Sequence, residues 1–321
     1  MSKKQETPIK MYCLNLRCGA MADKRDGEEN RPCYRMFRIK KQVEQYDPDV
    51  IAFQEFTTGW SGMIPEALPQ YTIINKWRNS PLAQRKTYDL ESAPVAYKTD
   101  KYDCLDTGWF WLSETPEISS PPYMPGQERI VIWAKLKDKK TGGEFVFAST
   151  HFSFYPYSII KSGRQLVDWL ATWPEGTPVF IWGDYNINYR SKEYNSFAYR
   201  GDIKNLWDVA VDMKKDGLCQ GCEMRKGTHN GFKFPDANCF IDFGFIKKNA
   251  HLAVDRYDIL YDSQVAYPEM EIEPGYVSDH FASYAEVRLD VDADYSKYME
   301  YGPEAQEEQY PDDLSEIKPA E

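Results

Sequence analysis

No stretch of this 321-residue chain stays apolar for long. The longest strongly apolar run is the five residues 178–182, and mean hydropathy is −0.64, whereas a spanning helix needs about 20 such residues. A membrane-spanning helix is excluded. The seven cysteines, at 13, 18, 33, 104, 219, 222 and 239, are odd in number and lack the spacing of a disulfide framework, which favours a reducing compartment. Cys219-Gln-Gly-Cys222 has no second CxxC or histidine pair to complete a zinc site. The opening residues, MSKKQETPIK, contain no apolar segment of signal-peptide length. A cytoplasmic protein is expected, unless an export signal was removed before this sequence was written. No repeat period is present, and glycine and proline are scattered through turns. One domain is therefore expected over residues 1–289.

An excess of positive charge is also missing. Net charge is −11, but residues 290–321 hold eleven acids against two bases and account for −9 of it. That segment reads as a solvated, flexible acidic tail. The body, near neutral at −2, offers no wide basic face for sequence-independent grip on long nucleic acid. What the chain does possess is core material: 42% hydrophobic and 15% aromatic residues, too many for a disordered or coiled-coil protein.

Strands and helices alternate. Apolar alternation and short buried runs predict strands over 10–14, 49–53, 71–75, 94–98, 102–111, 130–136, 145–151, 178–182, 239–246, 252–261 and 281–289. Helical spacing predicts helices over 34–46, 60–68, 158–171 and 192–199. In the first helix Met36, Ile39 and Val43 share one face, with Arg35, Arg38, Lys41 and Gln42 largely on the other. The turn 139–143 closes a hairpin. A four-layered α/β sandwich, two facing and mostly antiparallel sheets with helices outside, accounts for this order best.

Polar residues recur where the buried strands end. Asn15 follows MYCL, Gln54-Glu55 follows VIAF, His151 follows FVFAST, and Gly183-Asp184-Tyr185-Asn186 follows PVFIW. Asp242 interrupts CFI-D-FGFI, and Ser278-Asp279-His280 precedes FASYAEV. Strand termini are where a rigid scaffold presents side chains to open loops. Any one of these residues has a structural explanation, such as a turn-forming Gly-Asp or a core histidine. Asp242 is different, because a carboxylate within a buried strand costs several kcal/mol unless paired. A histidine is a suitable mate.

The ordered set Asn-x-Arg, Gln-Glu, Thr-His, Gly-Asp-x-Asn, Ile-Asp and Ser-Asp-His, over residues 9–289, resembles the endonuclease/exonuclease/phosphatase superfamily. The fold implied is deoxyribonuclease I-like. GWFWLSETPE and VIWAKLKDKKTG are similar to a bacterial subgroup of it. The resemblance implies that Glu55 binds a metal, with Asn15 beside it and Asp279 as the other metal-side carboxylate. Such hard oxygen ligands suit Mg²⁺ or Mn²⁺. It implies further that Asp184 orients or deprotonates the attacking water and that Asn186 holds a phosphoryl oxygen. His280 would contact the scissile phosphate, with Asp242 as its buried partner. His151 matches a second phosphate-side histidine, oriented by Glu91. Arg129, Tyr97 and His229, the last in a T-x-x-G-F loop, are substrate-side candidates.

A Mg²⁺-dependent phosphoesterase is the activity implied, on a phosphodiester or a phosphomonoester, with nuclease activity included. The alternative is a non-catalytic protein that binds a phosphorylated ligand on the same fold. A monomer is expected. Loops 112–128, with Tyr123 and Met124 as an apolar or stacking wall, and 217–238 would select the substrate. Arg25, Arg31, Arg78, Arg85 and Lys86 are the cations available for nucleic acid, or else solvated surface charge.

Overall fold

Runs rich in Val, Ile and Phe that read as buried strands form the centres of two six-stranded sheets. The structure, a computed structural model, describes residues 8–18, 27–79, 90–124, 126–198, 200, 203–206, 227–233, 239–247, 251–261, 264–289 and 310–317. Along the chain these are β1 (Ile9–Asn15), α1 (Pro32–Tyr46), β2 (Val50–Gln54), β3 (Phe56–Thr57), α2 (Thr58–Ala67), β4 (Tyr71–Ile74), β5 (Glu91–Ser92), β6 (Val95–Lys98) and β7 (Tyr102–Trp111). There follow β8 (Ile130–Asp138), β9 (Glu144–His151), α3 (Pro156–Ala171), β10 (Val179–Asp184), α4 (Lys192–Ala198), β11 (Ile203–Asn205) and β12 (Asp242–Lys247). The last strands are β13 (Leu252–Leu260), β14 (Val265–Tyr267), β15 (Ile272–Gly275) and β16 (Ala282–Leu289).

One sheet runs β13-β16-β1-β2-β6-β4 and the other β11-β12-β10-β9-β8-β7. They face each other through β1 and β2 against β9 and β10, and the larger apolar cluster includes the residues between them, among them Met11, Val50, Phe147 and Trp182. On the outer face of the first sheet, Ile39, Val43, Trp60 and Ile64 of α1 and α2 pack over Tyr12, Ile51 and Phe53. Helices α3 and α4 cover the second sheet with Ile159, Leu166, Leu170 and Phe197. Layers therefore run helix, sheet, sheet, helix.

Three expectations need correction. Helical periodicity assigned Arg35, Arg38 and Gln42 to the polar face of α1, yet all three are fully buried. Arg35 donates to the carbonyls of Asn30 (2.8 Å), Leu16 (2.6 Å) and Val277 (3.3 Å) and lies between the rings of Trp60 and Phe232. Arg38 donates to the carbonyls of Glu29 and Glu273. Carbonyls of loops, of the 28–30 turn and of β15 absorb these donors, so the guanidinium groups are satisfied away from water. The strand expected from Cys239 begins at Asp242, because Cys239 bridges instead to His229 and Phe240 and Ile241 accept from Tyr189 and Tyr185. In the tail, residues 310–317 lie on the body: Arg200 and Arg164 bind the Asp312 carboxylate and carbonyl, and Leu314 is buried. The remainder of the tail, like Cys219 and Cys222, lies outside the described residues.

Candidate active site

Strand direction gathers the site at one end of the sandwich. β1 and β2 are parallel, with Asn15 in register with Gln54; β9 and β10 are parallel, with His151 in register with Asp184. All four end at the same edge. β12 and β16 run antiparallel to them and begin there, which brings Asp242 opposite Asp184 and His280 just ahead of β16. β8, antiparallel to β9, places Arg129 immediately before its first residue. Two close approaches fix the edge. A Cβ on Gly183 would lie 2.1 Å from the Thr150 carbonyl oxygen, so no other residue fits between β9 and β10. Gln54 donates to Ser149 Oγ at 3.1 Å, and Ser149 donates to the Phe53 carbonyl at 3.0 Å, tying the two sheets beside the site.

Arg17, Glu55 and Asn186 each adopt left-handed backbone, φ 57°, 52° and 52°, one or two residues beyond a strand end. Non-glycine residues tolerate this at a cost of order 1–3 kcal/mol and hold it where the surroundings fix it. Here the surroundings are polar contacts. Asn15 Nδ2 donates to Asp184 Oδ2 at 3.0 Å and to Glu55 Oε1 at 3.2 Å. The Cys18 amide donates to Glu55 Oε2, and the Asn186 amide to Asp184 Oδ1 at 2.9 Å. His280 Nδ1 lies 2.9 Å from Asp242 Oδ2, while its Nε2 is 3.8 Å from Asp184 Oδ2. From the other side His151 Nε2 comes within 3.6 Å of the same Asp184 oxygen, and His151 Nδ1 is 3.7 Å from Glu91 Oε1. Glu91 is itself paired with Arg78 at 2.5 Å.

Charge in this pocket is polarised. Burial and the neighbouring Asp242 push the Asp184 carboxyl up to about 7. Burial works against ionisation of Glu55 too, but the Cys18 amide and His280 outweigh it and hold the carboxyl below its usual value. Burial disfavours the His280 imidazolium, yet Asp242 overcomes this and raises it well above the ordinary histidine value. His151 goes the other way: burial, then Arg129 and Arg78, lower it well below that value. The pocket thus carries one charged and one neutral imidazole on opposite sides of a carboxyl poised near neutrality. Asp184, Asp242 and His280 form one cluster with ligand atoms within 4.8 Å of one another, and His229, Asp279 and His280 form a second.

A family model described as the Endonuclease/Exonuclease/phosphatase family matches residues 13–280. The chain belongs to this family. A solved endonuclease/exonuclease/phosphatase family protein from Bacteroides thetaiotaomicron is 26% identical, with a TM-score of 0.73 over 89% of this chain and 100% of that one. The mannosyl-6-phosphatase of the same organism is 25% identical, with a TM-score of 0.71 over 87% and 99%. The human nocturnin catalytic domain, solved with a bound sulfate anion, shares the fold at 17% identity, with a TM-score of 0.64 over 90% and 97%. A comparison with curated proteins finds no match. The sandwich is that of deoxyribonuclease I-like proteins, and the family is one of phosphoesterases.

Of the residues expected at an endonuclease/exonuclease/phosphatase site, Asn15, Glu55, Glu91, Arg129, His151, Asp184, Asn186, His229, Asp242, Asp279 and His280 come together at this edge. His229 stacks edge-on to His280, ring centroids 4.9 Å apart. Tyr97 does not join them. β6 runs antiparallel to β2, so Tyr97 pairs with Val50 at the opposite end of the sheet while Pro94 meets Phe53 near the site. Asn15 is oriented as a donor: its amide nitrogen faces both carboxylates and its oxygen accepts from Arg17 N. Asp242 stands at the start of its strand, yet it is buried and paired with a histidine.

Other site contributions were not legible. Arg78, grouped with surface cations in the sequence, is buried on Glu91. Arg31 pairs on the surface with Glu28, and Arg25, Arg85 and Lys86 lie outside the described residues. Arg17 Nε approaches Asp279 Oδ2 at 3.4 Å, and the Asn-x-Arg spacing was its signal. Thr228 Oγ1 accepts from the amides of Ile241 and Asp242 at 3.1 Å each, while its carbonyl accepts from Phe281. It fastens Asp242 and His280 to one loop. Within loop 112–128, Tyr123 is bonded through its hydroxyl to Gln165 with Lys161 over its ring, and Met124 is buried.

Proposed function

We propose that this protein hydrolyses a phosphoric ester by in-line attack of water, with Mg²⁺ or Mn²⁺ held at Glu55 and Asp279. The observation that carries the reading is the convergence of Asn15, His151 and His280 on one oxygen of Asp184, at 3.0, 3.6 and 3.8 Å. The donor set fits a hard cation: Glu55 is half-buried and held below its usual carboxyl value, and Asp279 is a buried carboxylate at the same edge. A bound divalent cation would neutralise phosphoryl oxygens and polarise the ester.

Asp184, poised at about 7, takes the proton of the attacking water, and efficiency in general-base catalysis favours such a value near the working pH. Asn15 and the Asn186 amide fix its orientation. His280, held as imidazolium by Asp242, stabilises negative charge that grows on the phosphoryl oxygens. His151, neutral and backed by Glu91 and Arg78, faces Asp184 through Nε2 from the opposite side. Asn186 Nδ2 gives one hydrogen to the Phe152 carbonyl and keeps the other for substrate. Residues 1–289 form the catalytic unit.

The test is a substrate panel with purified protein and Mg²⁺: sugar and inositol phosphates, nucleotides, plasmid DNA, RNA and sphingomyelin. Sugar phosphates belong in it because of the mannosyl-6-phosphatase relative. Hydrolysis that disappears with a chelator and in Asp184→Asn is the expected result. Saturable binding of a phosphate ester without turnover would overturn the catalytic reading in favour of a phospho-ligand binding protein.

A further inference from the structure

The loop between β9 and α3 places an aromatic side chain at the pocket mouth with no apparent structural use. Its first residue is fixed: Phe152 N donates to the Asp184 carbonyl at 2.8 Å, its carbonyl accepts from Asn186 Nδ2, and its ring meets Tyr185 edge-on at 4.7 Å. Its last is fixed by Pro156, the first residue of α3. Between them Phe154 is 66% exposed, on a short segment anchored at both ends. One face of the ring is taken by the Arg129 guanidinium, 5.3 Å from the centroid. That arginine is buried, and its Nη1 has no hydrogen-bond acceptor among the described residues. A buried guanidinium donor without an acceptor calls for an oxygen. Glu91, Asp184 and Glu55 all act on its charge, so that oxygen would lie at the catalytic edge.

We propose that Phe154 and Arg129 together form the recognition platform for a small phosphate ester whose alcohol carries a ring. The Phe154 face stacks on the flat face of a sugar or nucleobase, while Arg129 Nη1 holds an oxygen of the attached phosphate. This rests on the phosphoester-hydrolase reading and adds to it the class of leaving group. A rigid aromatic presents a stacking surface with little entropy to lose, and the cation beneath it reinforces the stack. An open-chain alcohol has no flat face to offer, so discrimination follows from shape.

The experiment compares wild type with Phe154→Ala and Phe154→Trp on a hexose phosphate, adenosine monophosphate and glycerol phosphate in Mg²⁺. Phe154→Ala should raise KM about tenfold for a ring-bearing ester, the scale of one lost stack, with kcat held and glycerol phosphate unaffected. Phe154→Trp should restore KM. Response to the sugar or to the nucleotide alone identifies which ring is taken. Equal change on all three esters, or none on any, overturns the platform. Titration calorimetry with the same compounds separates the two readings. If wild type turns over none of them, hydrolysis of these small esters fails while the wider panel still tests the hydrolase reading, and the platform still stands where ring-bearing phosphates bind wild type about tenfold tighter than Phe154→Ala. Equal affinity of the two, or no saturable binding to wild type, removes the platform.

Discussion

Replacing Asp184 by Asn should make the protein more stable and inactive together. The carboxyl is 2% exposed and sits beside Asp242, and its folded-state value of about 7 lies well above the ordinary 3.8. A raised carboxyl means that the folded state binds its proton more tightly than the unfolded chain does. Stability attached to that proton is complete below pH 3.8 and is lost as pH rises towards 7. At about 1.4 kcal/mol per tenfold change in proton affinity, the full penalty above pH 7 is on the order of 4 kcal/mol. Asparagine cannot ionise and escapes it. It keeps an acceptor for Asn15 but gives up the one that receives the Asn186 amide, a loss of about 1 kcal/mol. The balance, about 3 kcal/mol, corresponds to a rise in Tm on the order of 5–10 °C. Thermal unfolding of both proteins in chelator, from pH 4 to pH 8.5, measures this. The two melting curves should nearly coincide at the acid end and separate as pH rises, while turnover falls by at least about a hundredfold. A variant no more stable at pH 8.5 than at pH 4, relative to wild type, would refute the assignment of a strained carboxyl to this position.

Further expectations concern the supports. Gly183→Ala drives a methyl into the Thr150 carbonyl and should cost at least about 3 kcal/mol, seen in chemical denaturation. Arg78→Met strands Glu91 in the protein interior; the loss should be about 3–5 kcal/mol, and turnover should drop as His151 loses its orienting partner. Arg35→Met leaves the carbonyls of Leu16, Asn30 and Val277 without their donor, with a Tm decrease and weaker activity in whatever remains folded. Glu55→Gln should raise the Mg²⁺ concentration needed for half-maximal turnover, and chelated wild type should recover when Mg²⁺ or Mn²⁺ is returned.

Much of the site was readable because its residues sit at strand ends, and strand ends are marked by the change from apolar run to polar pair. Asp242 announced its need for a partner through burial alone. Arg78 and Arg35 gave no such mark: an arginine among polar neighbours looks solvated, and only loops arriving from elsewhere in the chain supply the carboxylate or carbonyls that bury it. β14 and β15 were missed because half-buried, exposed-edge residues at 265–267 and 272–275 lack alternation. Phe154 was passed over beside Tyr123 and Met124 of loop 112–128, since exposure is a property of the fold.

The order of strands, the two-sheet sandwich and the types of group carried to its edge were set by local pattern, because hydrophobic periodicity and turn chemistry act over a few residues. Which groups meet was decided by tertiary structure. Strand direction carried Tyr97 away from the edge and brought Asp242 to it, and Asp242 beside one buried histidine and Arg129 and Arg78 beside the other moved two identical imidazoles in opposite directions. Proton affinity depends on neighbours in space, and those neighbours can lie far apart in the chain, as Asn15 and Asp184 do at a separation of 169 residues.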